Sequence, residues 1–197
     1  MKKTIFFTFF IIIAVACNNN DANYKETTDT SATYIKQGDS IVKITFDTLR
    51  NTLLKTIASK GLAGAVTFCN VEALPITAVY ASAGITVSRV SDKNRNAKNA
   101  LTEMDKIEWA KYIKQIANKD SLRAAIVYNN NEVHYYKPII MQPMCLSCHG
   151  TTEKDIAKEL LPVIDSLYPA DKAKGYKAGE LRGMWHIVFT KPMVDEK

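Results

Sequence analysis

The stretch from residue 122 to residue 138 reads LRAAIVYNNNEVHYYKP and holds two short runs rich in β-branched and aromatic residues. The runs, 122–128 and 132–138, are separated by three consecutive asparagines, a residue type that tolerates the backbone of a tight turn. This pattern predicts a β-hairpin, because two strand-like runs joined by so short a polar connection pair with each other.

Further strands and helices are predicted on both sides of the hairpin. Residues 85–90 (ITVSRV) alternate between apolar and polar, and residues 183–190 (GMWHIVFT) form a last apolar run. A helical stripe runs from Asp39, the predicted N-cap, to Lys60, with Gly61 as the predicted stop. Other helices are predicted over 63–71, 75–83, 102–117 and 152–167, with a loop over 139–150. The fold class is therefore α+β, an antiparallel sheet flanked by helices behind a long N-terminal helix.

The composition is that of an ordinary globular protein. The chain has 197 residues, of which 47% are hydrophobic and 23% charged, and this size suits one domain with a real core. Its 4 cysteines are too sparse for a disulfide scaffold. The net charge of +6 arises from 26 basic and 20 acidic residues scattered along the chain, which argues against nucleic acid as a partner.

The first sixteen residues, MKKTIFFTFFIIIAVA, have the pattern of a signal peptide. Lys2 and Lys3 precede an apolar stretch that is too short to span a bilayer, which needs about 20 residues. Small residues then lead to Cys17 and resemble a bacterial lipobox, in which the cysteine is lipidated and becomes the mature N-terminus. The alternative is a plain signal peptide over 1–16 with an incidental Cys17.

The segment that follows Cys17 is polar. Residues 18–33 contain no aliphatic side chain beyond alanine, so they cannot bury enough apolar surface to offset the entropy of ordering. We therefore expect a lipidated cysteine and disordered tether over 17–33 and a folded domain over 34–197. The protein is expected to be exported and membrane-anchored in a bacterial cell envelope, facing the periplasm or the outside, where the environment is oxidising.

The motif that carries chemistry is Cys145-Leu146-Ser147-Cys148-His149, a C-x-x-C-H sequence of the kind that attaches c-type haem. Two thiols at this spacing can each bond one vinyl group of a single porphyrin, and the adjacent imidazole then meets the iron. The motif predicts one haem c that is bound covalently by Cys145 and Cys148, with His149 as an axial iron ligand.

Three other interpretations explain less of the motif. A thioredoxin-type cysteine pair belongs between a strand and a helix of a parallel sheet, and a local disulfide leaves His149 without a role. A structural zinc needs two further ligands, for which the chain offers Cys69, His134, His149 and His186. Residue types leave the second axial ligand of a haem open among Cys69, His134, His186, Met141, Met144, Met184 and Met193.

Four pieces of the chain, in order, share a further pattern. They are 64–69 (GAVTFC), 89–99 (RVSDKNRNAKN), 136–150 with its C-x-x-C-H end, and 168–183 with its Tyr-Pro pair and three glycines. With these pieces, residues 41–190 resemble a family of single-haem c-type proteins with a PAS-like fold, which includes stand-alone exported haem proteins and extracytoplasmic haem c sensor domains. The resemblance implies a PAS-like fold, and it implies that Cys69 is the second axial ligand, opposite His149.

The piece at 89–99 carries three cations, Arg89, Lys93 and Arg95. A haem has two propionate groups, and a guanidinium group pairs bidentately with a carboxylate. These residues are therefore possible propionate contacts, and the two arginines are better suited than Lys93. The alternative is a solvated basic loop.

A haem with His149 and Cys69 both on the iron has no open coordination position, so the expected function is not enzymatic. A thiolate ligand stabilises ferric iron, and loosening of that bond on reduction makes a redox- or gas-sensing switch that signals to a separate protein. The alternative is a membrane-tethered electron-transfer cytochrome with a redox partner. A minor alternative is a zinc-stabilised binding module without haem.

Overall fold

The computed structural model of the chain describes residues 20–80 and 83–190, with side chains from residue 30 onward except 72–75. The helices are α1 (Asn20–Ala78), α2 (Glu103–Ala117), α3 (Leu146–His149) and α4 (Leu161–Leu167). The strands are β1 (Ile85–Val90), β2 (Ala125–Asn129), β3 (Glu132–Ile140) and β4 (Leu181–Phe189). Short 3-10 turns lie at Ala97–Asn99, Pro143–Cys145 and Lys158–Leu160.

The strands form one antiparallel sheet in the order β1-β4-β3-β2. β2 and β3 pair as the predicted hairpin, with Asn129 opposite Glu132. β1 pairs with β4, so that Ile85 lies opposite Phe189. The prediction of an α+β fold, with an antiparallel sheet flanked by helices behind a long N-terminal helix, is confirmed.

A different helix covers each face of the sheet, because successive residues of a strand point to opposite faces. On the α1 face, Tyr34 and Leu49 of α1 pack on Trp185, Ile187 and Phe189 of β4. On the α2 face, a second cluster forms from Val90, Tyr112, Tyr136, Leu181 and Met184. The two faces therefore hold separate cores with separate polar groups.

α1 is one long helix with a break in its helical geometry at Gly61 (φ 69°, ψ −175°). The sequence predicts three helices over 39–60, 63–71 and 75–83, and the structure joins them into one element that ends at Ala78. Glycine adopts a positive φ without steric cost, so the predicted stop at Gly61 becomes a kink and the helix resumes beyond it.

α1 also begins earlier than the sequence predicts. It starts at Asn20, so the segment up to residue 33, predicted as a disordered tether, is helical from there on. Ser31 Oγ lies 2.8 Å from Tyr128 Oη of β2, a contact 97 residues away along the chain. Each further turn of an anchored helix costs little free energy, which accounts for helix in a polar segment.

Asp39 lies inside α1, so its prediction as an N-cap is wrong. Its carboxylate instead accepts hydrogen bonds from Tyr135 Oη (2.8 Å) and Lys137 Nζ (2.5 Å) and links α1 to β3. The predicted signal peptide over 1–16 and Cys17 lie outside the described residues. By length and composition alone, Thr30–Ala78 is apolar enough to cross a membrane, a property that the core helices of many proteins share.

The segment around the C-x-x-C-H motif is more ordered than the predicted loop over 139–150. It contains the turn Pro143–Cys145 and the short helix α3. The helix predicted from residue 152 starts only at Leu161, because the Asp155 carboxylate accepts hydrogen bonds from the Thr151 amide and hydroxyl and closes a turn there. In α2, by contrast, Thr102 and Asp105 form the predicted capping box.

Candidate functional site

His149 ends α3 with an imidazole whose orientation is fixed. Its Nδ1 lies 2.9 Å from the carbonyl oxygen of Ala173. A carbonyl oxygen only accepts, so Nδ1 carries the proton and Nε2 of the neutral ring keeps a free lone pair. Burial, assisted by the nearby Arg95 and Arg182, holds the pKa of His149 well below its usual value. The neutral ring with a free Nε2 is the form that binds iron.

The loop that carries Ala173 also braces the backbone of the motif. The Gly175 amide donates to the Gly150 carbonyl (2.8 Å), and the Tyr176 amide donates to the His149 carbonyl (3.0 Å). The φ of Gly175 is 80°, a value that favours glycine. His149 is therefore held through its ring and through its backbone by one loop.

Arg95 ties the same loop to the motif from the other side. Its Nη2 donates to the Cys148 carbonyl (2.6 Å) and to Asp171 Oδ2 (3.1 Å). The Asp171 side chain is 1% exposed and that of Arg95 is 11% exposed, so this ion pair is buried. Asp171 in turn accepts from the Ala173 amide (2.8 Å). The buried Nε of Arg95 finds no hydrogen-bond partner among the described residues.

Cys69, Cys145 and Cys148 are half-buried free thiols. Cys148 packs beside the apolar cluster that Val66 of α1 and Ile164 of α4 share, and burial raises its pKa. The pKa of the Cys69 thiol is also raised by burial, against the opposing effect of Arg89 and Arg95. The structure thus brings the end of α1 and the C-x-x-C-H motif to one place.

Two further arginines, Arg89 and Arg182, place positive charge near the thiols and the C-x-x-C-H motif. Arg89 lies near the end of β1 with its guanidinium 5.9 Å from the Trp185 ring centroid. Arg182 lies at the start of β4, donates from Nη1 to the Lys93 carbonyl (3.1 Å), and sits 5.4 Å from the Tyr176 ring centroid. Burial lowers the pKa of both arginines.

We call this group the arginine–thiol cluster, and its members are Cys69, Arg89, Arg95, Cys145, Cys148, His149 and Arg182. Sequence analysis missed Arg182, because only the pairing of β1 with β4 brings it to the cluster. Lys93, a predicted contact, is exposed, with its Nζ 5.2 Å from the Tyr176 ring centroid.

Most other candidates for a second iron ligand lie elsewhere. His134 Nδ1 is 2.9 Å from His186 Nε2, and both rings are buried on the α2 face. Met184 packs on that face too, whereas Met141 packs beside Cys145. In the described parts of the chain no three His, Cys, Asp or Glu side chains form a group that could hold a metal ion.

The residues of the cluster fit the predicted haem. They supply two thiols at the right spacing, an imidazole with a free Nε2, and a buried guanidinium nitrogen that lacks a partner. The cluster also carries more positive than negative charge, which suits a group with two carboxylates.

Comparison with known proteins supports this interpretation of the fold. A crystal structure of the cyanobacterial heme-protein Tll0287 is similar with a TM-score of 0.55 and 24% sequence identity, over 82% of this chain and 98% of that one. At this identity the likeness shows the shared fold. No curated protein matches the chain. The profile of the Tll0287-like family matches residues 19–190. This match confirms the resemblance to a single-haem c-type protein family, and the chain belongs to the Tll0287-like family.

Proposed function

We propose that the protein carries one covalently bound haem c and works in redox or gas sensing. The observation that carries this proposal is the bond from His149 Nδ1 to the Ala173 carbonyl, which leaves Nε2 free beside two unpaired thiols. The heme-protein named among the solved structures supports the same cofactor. A bound haem supplies reversible transfer of one electron.

Each residue has a defined task in this proposal. Cys145 and Cys148 form the thioether bonds, and His149 binds the iron through Nε2. The Ala173 carbonyl holds the ring in one tautomer and makes it a stronger donor. Arg95 fixes the motif by its bond to the Cys148 carbonyl.

Cys69 is the proposed second axial ligand. Its thiol lies within electrostatic reach of Arg89 and Arg95, which favour the thiolate, while burial favours the neutral thiol. Since burial and the arginines act in opposite directions, the charge of a bound iron would determine whether the Cys69 sulfur is a thiolate or a neutral thiol. A bound ferric ion would favour the Cys69 thiolate more than a ferrous ion would, so Cys69 would be the ligand that weakens on reduction and His149 the one that is retained.

The covalent link is tested by the mass of the full chain made in cells that hold a haem c attachment system. Under denaturing conditions the wild type is expected to keep the added mass of one haem, and the double variant Cys145→Ala/Cys148→Ala to have the apoprotein mass. A colourless wild type of apoprotein mass, made in cells that load another c-type cytochrome, would overturn the proposal.

The axial ligand is tested on the loaded protein. Cys69→Ala is expected to keep the covalent haem but to lose the low-spin ferric absorption spectrum. Met144→Ala is the matched control, because Met144 is an exposed candidate ligand near the motif and its loss leaves the spectrum unchanged. An unchanged spectrum in Cys69→Ala rules out Cys69.

Sensing is distinguished from electron transfer by the reduced protein. A sensor that loosens Cys69 on reduction binds carbon monoxide at the freed position, with a shift of the absorption maximum. An electron carrier that keeps both ligands does not bind it, and that result would favour the electron-transfer alternative.

The proposal includes export and anchoring through a lipid on Cys17. Cells that make the full chain are expected to hold it in the membrane fraction, and Cys17→Ser is expected to release it to the soluble envelope fraction with its haem. Equal fractionation of both chains would contradict lipidation and leave the haem proposal intact.

A further inference from the structure

Three guanidinium groups, those of Arg95, Arg89 and Arg182, lie around the C-x-x-C-H motif. They differ in whether a carboxylate of the protein pairs with them. Arg95 Nη2 already donates to the Cys148 carbonyl and to the Asp171 carboxylate. Arg89 and Arg182 form no ion pair with a carboxylate of any described residue. The protein thus uses Arg95 for its own structure and leaves the other two charges uncompensated by direct contact.

The two uncompensated arginines lie at one end of the sheet. β1 ends at Val90 and β4 begins at Leu181, so the antiparallel pairing of these strands brings Arg89 and Arg182 to the same end. The Ser91 hydroxyl donates to the Arg182 carbonyl (2.8 Å), which fixes this proximity. Besides burial, Arg182 lowers the pKa of Arg89, as expected for like charges held close together.

Both arginines also border the thiols and the imidazole. Arg182 lies against the Tyr176 ring (5.4 Å), and Tyr176 bonds through its amide to the His149 carbonyl (3.0 Å) and packs beside Cys145. On β1, Arg89 points to the α1 face together with Val87, because residues two apart in a strand share a face. That is the face on which α1 carries Cys69.

The charges of this region do not balance. Arg95 pairs with the buried carboxylate of Asp171, which also lies 3.9 Å from Lys174 Nζ, and Lys174 pairs in addition with Asp165. Half-buried cations are normally paired with an anion, because desolvation disfavours an isolated charge. Two guanidinium groups without a carboxylate partner predict a ligand with two carboxylates.

We propose that Arg89 and Arg182 bind the two propionate groups of the haem, and that Arg95 and Lys93 do not. This inference rests on the proposed function. It assigns Arg182 in place of Arg95, because Arg95 Nη2 already pairs with the Asp171 carboxylate and the Cys148 carbonyl and only its Nε is left unpaired, whereas Arg182 has no carboxylate partner among the described residues. Lys93 is exposed and its ammonium lies over the Tyr176 ring (5.2 Å).

The test compares iron-free protoporphyrin IX with its dimethyl ester, which lacks both carboxylates. Each is titrated into the full-chain apoprotein, and binding is followed by porphyrin fluorescence. The wild type is expected to bind the diacid at least about a hundredfold more tightly, since each charge-assisted hydrogen bond contributes about 1.5–3 kcal/mol. Arg89→Gln and Arg182→Gln are each expected to reduce this preference at least about tenfold.

The exposed Arg50 and Lys93 provide matched controls, because Arg50→Gln and Lys93→Gln remove the same charge but leave the preference intact. Arg89→Lys and Arg182→Lys keep the positive charge and serve as milder variants in case the glutamine variants do not fold. The far-ultraviolet circular dichroism of each variant shows whether it is folded. A preference that persists in folded Arg89→Gln and Arg182→Gln overturns the inference, as does an equal loss in Lys93→Gln.

The outcomes of this test distinguish a failure of the inference from a failure of the proposed function. If the wild type acquires covalent haem while the two variants keep the preference for the diacid, the inference alone fails. If no haem attaches but the preference is present and depends on Arg89 and Arg182, the haem c proposal alone fails.

Discussion

Buried charged groups are paired differently on the α2 face of the sheet and at the arginine–thiol cluster. On the α2 face, Asp105 Oδ1 lies 2.8 Å from His186 Nδ1, and His186 Nε2 lies 2.9 Å from His134 Nδ1. Glu132 Oε2 lies 3.4 Å from His134 Nε2, so that a carboxylate stands at each end of the imidazole pair. At the arginine–thiol cluster, Arg95 pairs with the buried carboxylate of Asp171, and the other two guanidinium groups pair with no carboxylate of the described residues.

The contrast separates a structural network from a binding site. The α2-face carboxylates and imidazoles lie close enough to pair with one another and link α2 to the sheet, although Asp105 Oδ1, His134 Nε2 and Tyr136 Oη find no hydrogen-bond partner among the described residues. The cluster leaves Arg95 Nε without a hydrogen-bond partner and Arg89 and Arg182 without a carboxylate partner among the described residues, which suits a site that an anionic ligand completes. Buried histidines alone therefore do not identify the site in this chain.

The largest effect is expected from Arg95→Met. The variant leaves the Asp171 carboxylate, 1% exposed, without its guanidinium partner. Breaking a buried pair in this way costs about 3–5 kcal/mol. We expect the free energy of unfolding of the apoprotein, measured in urea, to fall by about this amount.

The exposed pair of Lys43 and Asp47 is the control for Arg95→Met, since its side chains are 78% and 48% exposed. Lys43→Met is expected to change the free energy of unfolding by less than about 1 kcal/mol. Similar losses in both variants would show that the Arg95 pair is not the brace of the motif.

A smaller loss is expected from Asp105→Ala on the α2 face. The variant removes the capping box of α2, which contributes about 0.5–2 kcal/mol, and leaves His186 without its acceptor, which costs about 1–3 kcal/mol. Unfolding in urea is expected to show the sum of the two losses. Glu103→Ala, in the same helical turn but 89% exposed, is expected to stay within about 0.5 kcal/mol of the wild type. A result for Asp105→Ala as small as that of Glu103→Ala would contradict a structural role for the network.

Local patterns predicted much of this structure from sequence. β1 spans residues 85–90 as predicted, and Thr102 caps α2, because alternation and capping depend on neighbouring residues. The C-x-x-C-H motif could also be recognised from sequence, since its five positions are contiguous.

Features that depend on distant contacts were missed. The start of α1 before residue 34 depends on contacts such as that of Ser31 with Tyr128, 97 residues away. The place of Arg182 depends on strand pairing, and its bond to the Lys93 carbonyl joins residues 89 positions apart. The bond of Arg95 to the Cys148 carbonyl is of the same kind, because it joins residues 53 positions apart.

Gly61→Ala tests how α1 serves both regions. Before Gly61 the helix packs on the sheet, and after it the helix carries Val66 and Cys69 to the cluster. The φ of 69° with ψ of −175° is a conformation that is nearly restricted to glycine, so alanine is expected to cost about 1–3 kcal/mol. We expect a lower free energy of unfolding and, in the loaded protein, an altered ferric spectrum because Cys69 moves.

The exposed Ala63→Gly is the control for this change, since it adds flexibility two residues away at a cost of about 0.5–1 kcal/mol without opposing the kink. A ferric spectrum altered equally in both variants would mean that helix stability, rather than the angle at Gly61, places Cys69.

The smallest effect is expected from pH, and it originates on the α2 face. Burial and the neighbouring His186 lower the pKa of His134 in the folded protein, despite the opposing effect of Glu132 and Asp105. Below the unfolded pKa of about 6.5, the unfolded chain therefore binds a proton that the folded chain excludes, and stability falls as the pH decreases from there to the folded pKa. The pKa of Asp105 is also lowered in the folded state, by its bond to His186 against the effect of burial, so its contribution is lost at still lower pH. Free energies of unfolding of the apoprotein between pH 8 and pH 5 are expected to decline in the wild type and to decline less in His134→Gln.

Equal slopes of the free energy of unfolding against pH in the two proteins would assign the acid sensitivity to groups outside this network. A steeper slope in His134→Gln would contradict the lowered pKa of His134 itself.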